Sequence, residues 1–240
     1  MATLQGSVVL VAGGAGAVGE GIVSALLDSG ATVVVPSRDP ARLDALRQNV
    51  GSADRLLGLI GDVCAPEGAG RVREQVVDTV GPPDAVITAI GGWSSGPKLA
   101  DIELSAWDGI LARNLRTHQV VASTYIPLLR GRPGATYGVI IGDTAEAPVA
   151  GAGPVSVTAA AELMAARSLG LEEQESGVQV LALVLGPVLT RGRPTGAERG
   201  LRAIDVGHVL ARRLLARAGL RTAGPTEVLA LPDRAAAQSV

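Results

Sequence analysis

The sequence is poor in several residue types, and each shortage excludes a class of protein. The 240 residues include no phenylalanine and only 2% aromatics, so a core must be built from aliphatic side chains. Cys64 is the only cysteine, which excludes an intrachain disulfide. The formal net charge of −2 gives no electrostatic basis for binding nucleic acid. We also predict no metal site.

Long hydrophobic runs are missing as well. No apolar run reaches the length of a membrane-spanning helix, and the N-terminus has no basic region before an apolar run. We therefore expect no membrane partner and a cytoplasmic location. The length suits one α/β domain, which we place at residues 1–232, and we expect a disordered tail at 233–240.

Glycine, in contrast, is abundant, and one cluster of it stands out. The apolar run Val8–Ala12 leads into a glycine-rich turn, and apolar residues at helical spacing follow at once. A dinucleotide-binding turn needs this order, because glycines let the backbone approach a pyrophosphate and the helix start offers free N–H groups. Gly14, Gly16 and Gly19 form the G-x-G-x-x-G pattern. The alternative is a strand-to-helix turn without a ligand.

Apolar strands alternate with helical patterns along the whole chain. Continuous apolar strands of this kind are typical of a parallel sheet covered on both faces. The fold class predicted is therefore α/β: a Rossmann-like, doubly wound, seven-stranded parallel sheet with helices on both faces, in a single domain. The predicted strands are 8–12, 33–35, 56–60, 85–90, 139–141, 178–185 and 226–231, and the longest predicted helices are 105–130, 154–176 and 205–218.

The end of the second strand bears on cofactor choice. Ligands of an open parallel sheet bind beyond the carboxyl ends of the strands, and Ser37-Arg38 closes the second strand about twenty residues after the glycine turn. An acidic residue there accepts a hydrogen bond from a ribose 2′-hydroxyl, whereas an arginine suits a 2′-phosphate. Arg38 therefore favours NADP(H) over NAD(H). The alternative is a solvated loop arginine.

The chain resembles the short-chain dehydrogenase/reductase family over residues 5–232. The resemblance rests on separate segments, each at the end of a predicted strand or within a long helix. They are the glycine turn at Gly13 and Gly19, the adenine-side pair Asp62-Val63, the glycine of Ile90-Gly91, the active-site asparagine at Asn114, and the segment Leu185–Thr190.

This resemblance implies a nicotinamide cofactor and a small-molecule carbonyl or alcohol as substrate. It also implies a homo-oligomer, a dimer or a tetramer, in which the long helices near 105–130 and 154–176 pair between subunits. The residues expected to hold NADP(H) are Gly13, Gly14, Gly16, Val18, Gly19, Ser37, Arg38, Asp62, Val63, Ile90, Gly91, Gly186, Val188 and Thr190.

The family's catalytic pair is missing from the sequence. In the family a tyrosine exchanges a proton with the substrate oxygen, a lysine four residues later lowers its pKa, and a serine polarises the carbonyl. Lys98 is the only lysine, and Ser94 lies four residues before it. The tyrosines are Tyr125 and Tyr137, whereas the pair belongs within residues 153–161.

Other residues at the same edge of the sheet can carry proton chemistry. We predict Asp143, Asn114, Thr144 and Ser156 as catalytic candidates, with Asp143 the most sensitive, because a carboxylate in an apolar cleft has a raised pKa. Capping of a turn is an equally good interpretation of Asp143. His118 lies one helical turn after Asn114 and is interpreted as a packed helix-interface histidine.

Three functions remain open from the sequence. The first is an atypical NADP(H)-dependent oxidoreductase that uses Asp143 or a water as proton donor. The second is a non-redox enzyme on the same scaffold, such as a cyclase, dehydratase or isomerase. The third is a non-catalytic nucleotide-binding subunit or sensor. The fold does not choose among them, because function belongs to the site.

Overall fold

A computed structural model describes residues 3–51, 53–193 and 200–240. The strands are β1 (Val8–Ala12), β2 (Thr32–Ser37), β3 (Leu56–Ile60), β4 (Ala85–Thr88), β5 (Thr136–Gly142), β6 (Gln179–Leu185), β7 (Val188–Leu189), β8 (Leu201–Arg202) and β9 (Glu227–Leu231). The α-helices are α1 (Ala17–Asp28), α2 (Pro40–Asn49), α3 (Pro66–Val80), α4 (Leu104–Leu111), α5 (Thr117–Leu129), α6 (Gly153–Glu172), α7 (Ala203–Arg217) and α8 (Arg234–Ser239).

Seven of the strands form one parallel sheet in the order β3-β2-β1-β4-β5-β6-β9. Its inner strands are mostly apolar and mostly buried, as expected for a parallel sheet whose two faces are both covered by helices. Helices α1, α2 and α7 pack on one face, and α3, α5 and α6 pack on the other. The predicted doubly wound, single-domain fold is therefore confirmed. Strands β7 and β8 form a separate parallel pair that the sequence did not predict.

The long helix predicted over 105–130 is observed as an uninterrupted helical segment over residues 104–129, but one turn of it is π-helical. Helices α4 and α5 are joined by a π-helical turn, Ala112–Arg116, which contains Asn114. The Thr117 hydroxyl lies within hydrogen-bonding distance of the carbonyls of both Arg113 (2.7 Å) and Asn114 (3.0 Å). Such a turn adds a residue to a helix and is frequent at functional sites. The predicted helix is therefore confirmed within one residue at each end, and the π-helical turn is the feature that the prediction missed.

The prediction of a disordered tail at 233–240 is wrong, because helix α8 occupies most of that segment. The Asp233 side chain caps the helix by accepting a hydrogen bond from the Ala236 N–H at 2.9 Å. Ala237 is buried, and its carbonyl accepts a hydrogen bond from Arg212 of α7. The cap and the buried contact both stabilise this helix, whose small residues give no apolar helical pattern in the sequence.

None of the helices in the described ranges is both long enough and apolar enough to cross a lipid bilayer.

Candidate active-site cleft

The carboxyl ends of β1, β4, β5 and β6 open into one cleft of about 760 Å³. This is the edge of the sheet at which an α/β fold binds its ligands. The structure brings together many of the residues that the sequence singled out. Those in the cleft wall are Gly16, Val18, Ile90, Gly91, Asn114, Asp143, Thr144, Gly186, Val188 and Thr190.

The glycine turn forms one end of the cleft. Gly13 has a φ of +84°, and a Cβ atom at this position would overlap the backbone carbonyl of Ala89, so only glycine fits between β1 and β4. Gly16 is the N-cap of α1 and provides no side-chain cap. The first N–H groups of the helix therefore lack a side-chain acceptor and lie where a phosphate could bind. Gly14 and Gly19 pack inside the same turn.

The residues that follow β2 and β3 continue this edge beyond the cleft wall. The Arg38 side chain is 74% exposed, and its Nη1 lies 3.7 Å from Asp62 Oδ2. Asp62 is itself fixed, because its Oδ1 accepts a hydrogen bond from the Cys64 N–H at 2.8 Å. Ser37 bonds to the backbone of Asp39, and Val63 is buried. An anionic group can thus reach the Arg38 guanidinium without displacing a buried partner.

Asp143 lies in the cleft wall, but its surroundings differ from those expected. It begins a short 3₁₀ turn after β5, and its carbonyl accepts hydrogen bonds from the N–H groups of Glu146 and Ala147, both at 3.0 Å. The side chain is exposed rather than enclosed by apolar groups. Thr144 next to it is buried and also lines the cleft.

Ser156 is not brought into the cleft. It lies in the first turn of α6, is buried, and donates its hydroxyl hydrogen bond to the Ala152 carbonyl at 3.2 Å, as serine commonly does one turn back along a helix. The α6 residues that do line the cleft are Val155, Thr158, Ala159 and Glu162. Because a helix repeats every 3.6 residues, Ser156 lies on a different face from this row.

Five polar side chains meet beneath the cleft and form what we call the buried polar cluster. Its members are Asn114, His118, Tyr137, Thr158 and Glu162, and each is at most 7% exposed. The Asn114 Nδ2 lies 3.4 Å from Thr158 Oγ1 and 3.4 Å from the Gly92 carbonyl oxygen. Asn114 Oδ1 has no hydrogen-bond partner within the described part of the chain.

His118 and Glu162 occupy the inner part of this cluster. The His118 Nε2 lies 3.1 Å from the Ile90 carbonyl oxygen and 3.8 Å from Glu162 Oε2. Burial lowers the pKa of His118 and raises the pKa of Glu162 to about 8, so both groups are uncharged near neutral pH. His118 is packed at a helix interface, as interpreted from the sequence.

Glu162 is the residue that sequence reasoning missed. A signal for it exists, because Val155, Ala159 and Glu162 recur at the spacing of one helical face. A glutamate on an otherwise apolar face is unusual, since carboxylates are rarely buried without a partner.

The fold and the site allow the chain to be placed among known proteins. Residues 7–199 match the family model described as short chain dehydrogenase. The chain belongs to the short-chain dehydrogenase family. Dehydrogenase/reductase SDR family member 4 of Bos taurus is 28% identical over 188 residues, which cover 78% of this chain and 67% of that protein. The 1-deoxy-11-beta-hydroxypentalenate dehydrogenase of Streptomyces exfoliatus is 28% identical over 223 residues, 86% of this chain and 79% of that one.

Solved short-chain dehydrogenases share the fold along nearly the whole chain. A short-chain type dehydrogenase/reductase from Mycobacterium ulcerans superposes with a TM-score of 0.84 at 19% identity, covering 97% of this chain and 91% of that one. A short chain oxidoreductase from Pseudomonas aeruginosa PAO1, described as containing an atypical catalytic center, superposes at 0.80 with 22% identity, covering 96% and 97%. The family binds a nicotinamide dinucleotide, and the glycine turn with its uncapped helix fits such a group.

Proposed function

We propose that this short-chain dehydrogenase binds NADP(H) and transfers a hydride between the nicotinamide and a carbonyl or alcohol of a small molecule. The observation that carries the proposal is one continuous edge of the sheet. It runs from the exposed Arg38 past the uncapped start of α1 into a cleft of about 760 Å³. A dinucleotide has the same order of parts: a ribose phosphate, a pyrophosphate and a reactive ring.

Each part of the cofactor has residues suited to hold it. The backbone N–H groups at the start of α1 face the pyrophosphate, and Arg38 pairs with the 2′-phosphate in a charge-assisted contact. Asp62 and Val63 lie on the adenine side, next to Ser37. The nicotinamide end faces the walls formed by Ile90, Gly91, Gly186, Val188 and Thr190. When bound, the cofactor supplies the hydride and the protein supplies positioning.

The proposal includes proton chemistry that departs from the family's. Val155 and Ala159 are two cleft-lining residues four positions apart within the segment where the family carries tyrosine and lysine. Neither has a proton to give. Asn114 is kept, and Asp143 and Thr144 are proposed to contact the substrate from the β5 side. The Pseudomonas aeruginosa oxidoreductase offers a precedent, since its fold is the same and its catalytic centre is described as atypical.

The same two side chains favour a second candidate function. A cleft walled by Val155 and Ala159 suits a non-redox reaction, such as a cyclisation, dehydration or isomerisation, in which the cofactor is held but not consumed. A non-catalytic nucleotide sensor is the third possibility, and it requires binding without conversion of any substrate.

The test is to titrate the protein with NADPH and NADH by calorimetry and then follow NADPH absorbance with a panel of aldehydes and ketones. Tighter binding of NADPH together with its oxidation supports the proposed function. Substrate conversion without change in the cofactor's redox state supports the non-redox alternative. A protein that binds neither cofactor overturns the proposal.

We also propose that the protein is a homo-oligomer, a dimer or a tetramer. Val157, Met164 and Leu171 recur every seven residues along α6 and are 42%, 57% and 65% exposed, which makes an apolar stripe on the side of α6 away from the sheet. Sedimentation analysis tests this, and a stable monomer at micromolar concentration contradicts it.

A further inference from the structure

Helix α6 presents one row of side chains to the cleft, and a carboxyl group ends the row. Val155, Thr158, Ala159 and Glu162 follow the i, i+3, i+4, i+7 spacing of a single helical face, and all four line the cleft. Ala159 contributes only a methyl group, so it leaves space above Glu162. Glu162 is thus buried yet open to whatever occupies the inner end of the cleft.

The surroundings of Glu162 favour the protonated form of its carboxyl group. His118 faces it from α5 at 3.8 Å, and Tyr137 faces it from β5 across a cavity that the three side chains share. Within the described ranges, no arginine or lysine lies within ion-pair distance of its carboxyl group. Among the described residues, no arginine or lysine offsets the desolvation of a negative charge there, and burial raises the pKa of Glu162 to about 8.

Two further atoms of the buried polar cluster have unused hydrogen-bonding capacity. Asn114 Oδ1 and His118 Nδ1 are buried, and neither has a partner among the residues that the structure describes. Buried polar atoms are nearly always paired in folded proteins. The unpaired Asn114 oxygen belongs to a cleft-lining side chain, which indicates that a polar ligand completes this part of the site.

A second, smaller cavity borders Glu162 on the side of α5. The cavity has a volume of about 30 Å³ and lies between α5 and α6, with Glu162 in one wall and the exposed Gln119 in another. A space of this size admits about one or two water molecules. Glu162 therefore lies between the cleft on one side and a water-sized cavity on the other.

We propose that Glu162 is the acid that exchanges a proton with the substrate in this cleft. The inference rests on the proposed function. In the reducing direction the carbonyl carbon accepts a hydride from the reduced nicotinamide and forms a C–H bond. The C=O π electrons take the proton of the Glu162 carboxyl and form an O–H bond. The substrate is reduced, the cofactor is oxidised, and Glu162 is left as a carboxylate. Water reprotonates it, and the alcohol is oxidised by the reverse sequence.

This role links the charge of Glu162 to the redox state of the cofactor. The oxidised nicotinamide ring is positively charged and attracts a carboxylate, whereas the reduced ring is neutral. Binding of NADP⁺ near pH 7 should therefore release a proton from Glu162, and binding of NADPH should not. NADP⁺ and NADPH carry the same 2′-phosphate, so any difference in proton release between them comes from the nicotinamide ring.

The experiment measures proton release on NADP⁺ and NADPH binding to the full chain, by calorimetry in two buffers of different ionisation enthalpy. In the wild type, NADP⁺ should release more protons than NADPH, and its affinity relative to NADPH should rise by roughly tenfold between pH 6 and 8. Glu162→Gln should abolish both differences. Glu172→Gln is the matched control, because it changes an exposed glutamate on the same helix.

The outcomes separate this inference from the proposed function. Equal proton release with both cofactors, or a difference that persists in Glu162→Gln, overturns the role of Glu162 and leaves cofactor binding intact. Binding of neither cofactor overturns the proposed function and this inference with it. If Glu162→Gln fails to fold, infrared titration of the wild type decides. A protonated carboxyl band should be present at pH 7 and fade as the pH rises through 8, and its absence at pH 7 contradicts the proposal.

Discussion

The two ends of the cleft are built in opposite ways. The glycine-turn end is made of backbone: its ligand-facing groups are N–H groups, and its shape depends on residues without side chains. The inner end lies over the buried polar cluster, whose members Asn114, Thr158 and Glu162 line the cleft. The cluster is assembled from β5, α6 and the α4–α5 region. Backbone geometry leaves a trace in the local sequence, whereas a cluster assembled from distant elements does not. The glycine-turn end can therefore be recognised from the local sequence, whereas the inner end emerges only from the fold.

The largest effect on cofactor affinity is expected from Gly13→Ala at the backbone-built end. The left-handed φ and the overlap with the Ala89 carbonyl force the turn open, at a cost of about 3 kcal/mol or more. Cofactor affinity should fall more than about a hundredfold in calorimetry. Gly70→Ala is the control, because its Cβ meets nothing within 4 Å and α3 tolerates alanine. Unchanged affinity in Gly13→Ala would remove the distinction between the two ends.

Glu162→Gln tests the side-chain-built end through stability. The folded-state pKa of Glu162, about 8, lies above its ordinary value near 4, so its favourable contribution is complete below about pH 4 and is lost as the pH rises through 8. The glutamine variant has no such loss. The free energy of unfolding of the variant, relative to that of the wild type, should therefore increase by about 3–5 kcal/mol between pH 4 and 9.

Urea unfolding at several pH values measures this difference. The contribution of His118 has the opposite sign, because its lowered pKa favours folding only above its unfolded value, but it is present in both proteins and cancels to first order. Parallel stability curves for the wild type and Glu162→Gln would show that the carboxyl is not held protonated.

Arg38→Ala tests whether the glycine-turn end of the cleft binds the 2′-phosphate of the cofactor. A charge-assisted contact contributes roughly 1.5–3 kcal/mol, so NADPH binding should weaken at least tenfold while NADH binding stays nearly unchanged. Arg221→Ala removes an exposed charge after α7 and is the control. Equal weakening of both cofactors would mean that Arg38 acts on something other than the 2′-phosphate.

Asp143→Asn is expected to change stability and cofactor affinity least. Its side chain is exposed, so the free energy of unfolding should stay within about 0.5 kcal/mol of the wild type. Thermal melting and NADPH titration check this. From the structure we expect Glu162→Gln to slow turnover more than Asp143→Asn does. Asp143→Asn should still slow turnover if Asp143 contacts the substrate. A tenfold loss of NADPH affinity would place Asp143 in the cofactor site instead.

Most of the fold could be predicted, because buried parallel strands are apolar without interruption and alternate with helices. β1 and β3 match their predicted bounds. β5 begins three residues before its predicted start, since Thr136, Tyr137 and Gly138 do not form an aliphatic run although all three are buried. Helix α8 was missed because a capping aspartate has no effect on hydrophobic periodicity.

The site divides in the same way. The glycine turn could be predicted from the local sequence, because an apolar strand precedes it and a helical pattern follows at once, but the buried polar cluster could not. Asn114 and Thr158 are 44 residues apart and meet only because α6 packs against the π-helical turn. Ser156 was the hydroxyl residue predicted for the site, but Thr158, two residues later on α6, is the one that lines the cleft. Which of them reaches the cleft depends on helix rotation, and no local pattern fixed that rotation.

The π-helical turn Ala112–Arg116 controls the rotation of α5 relative to α4. Before the turn, α4 has no fully buried residue; after it, α5 buries most of one face. Each residue of an α-helix advances the side-chain direction by about 100°. The one extra residue in the turn therefore sets the phase between the two helices and turns Asn114 toward the cleft. Deleting a single position would rotate that side chain away while every functional residue type stayed in the chain. At this wall of the cleft, the number of residues in the helix determines the chemistry as much as their identity does.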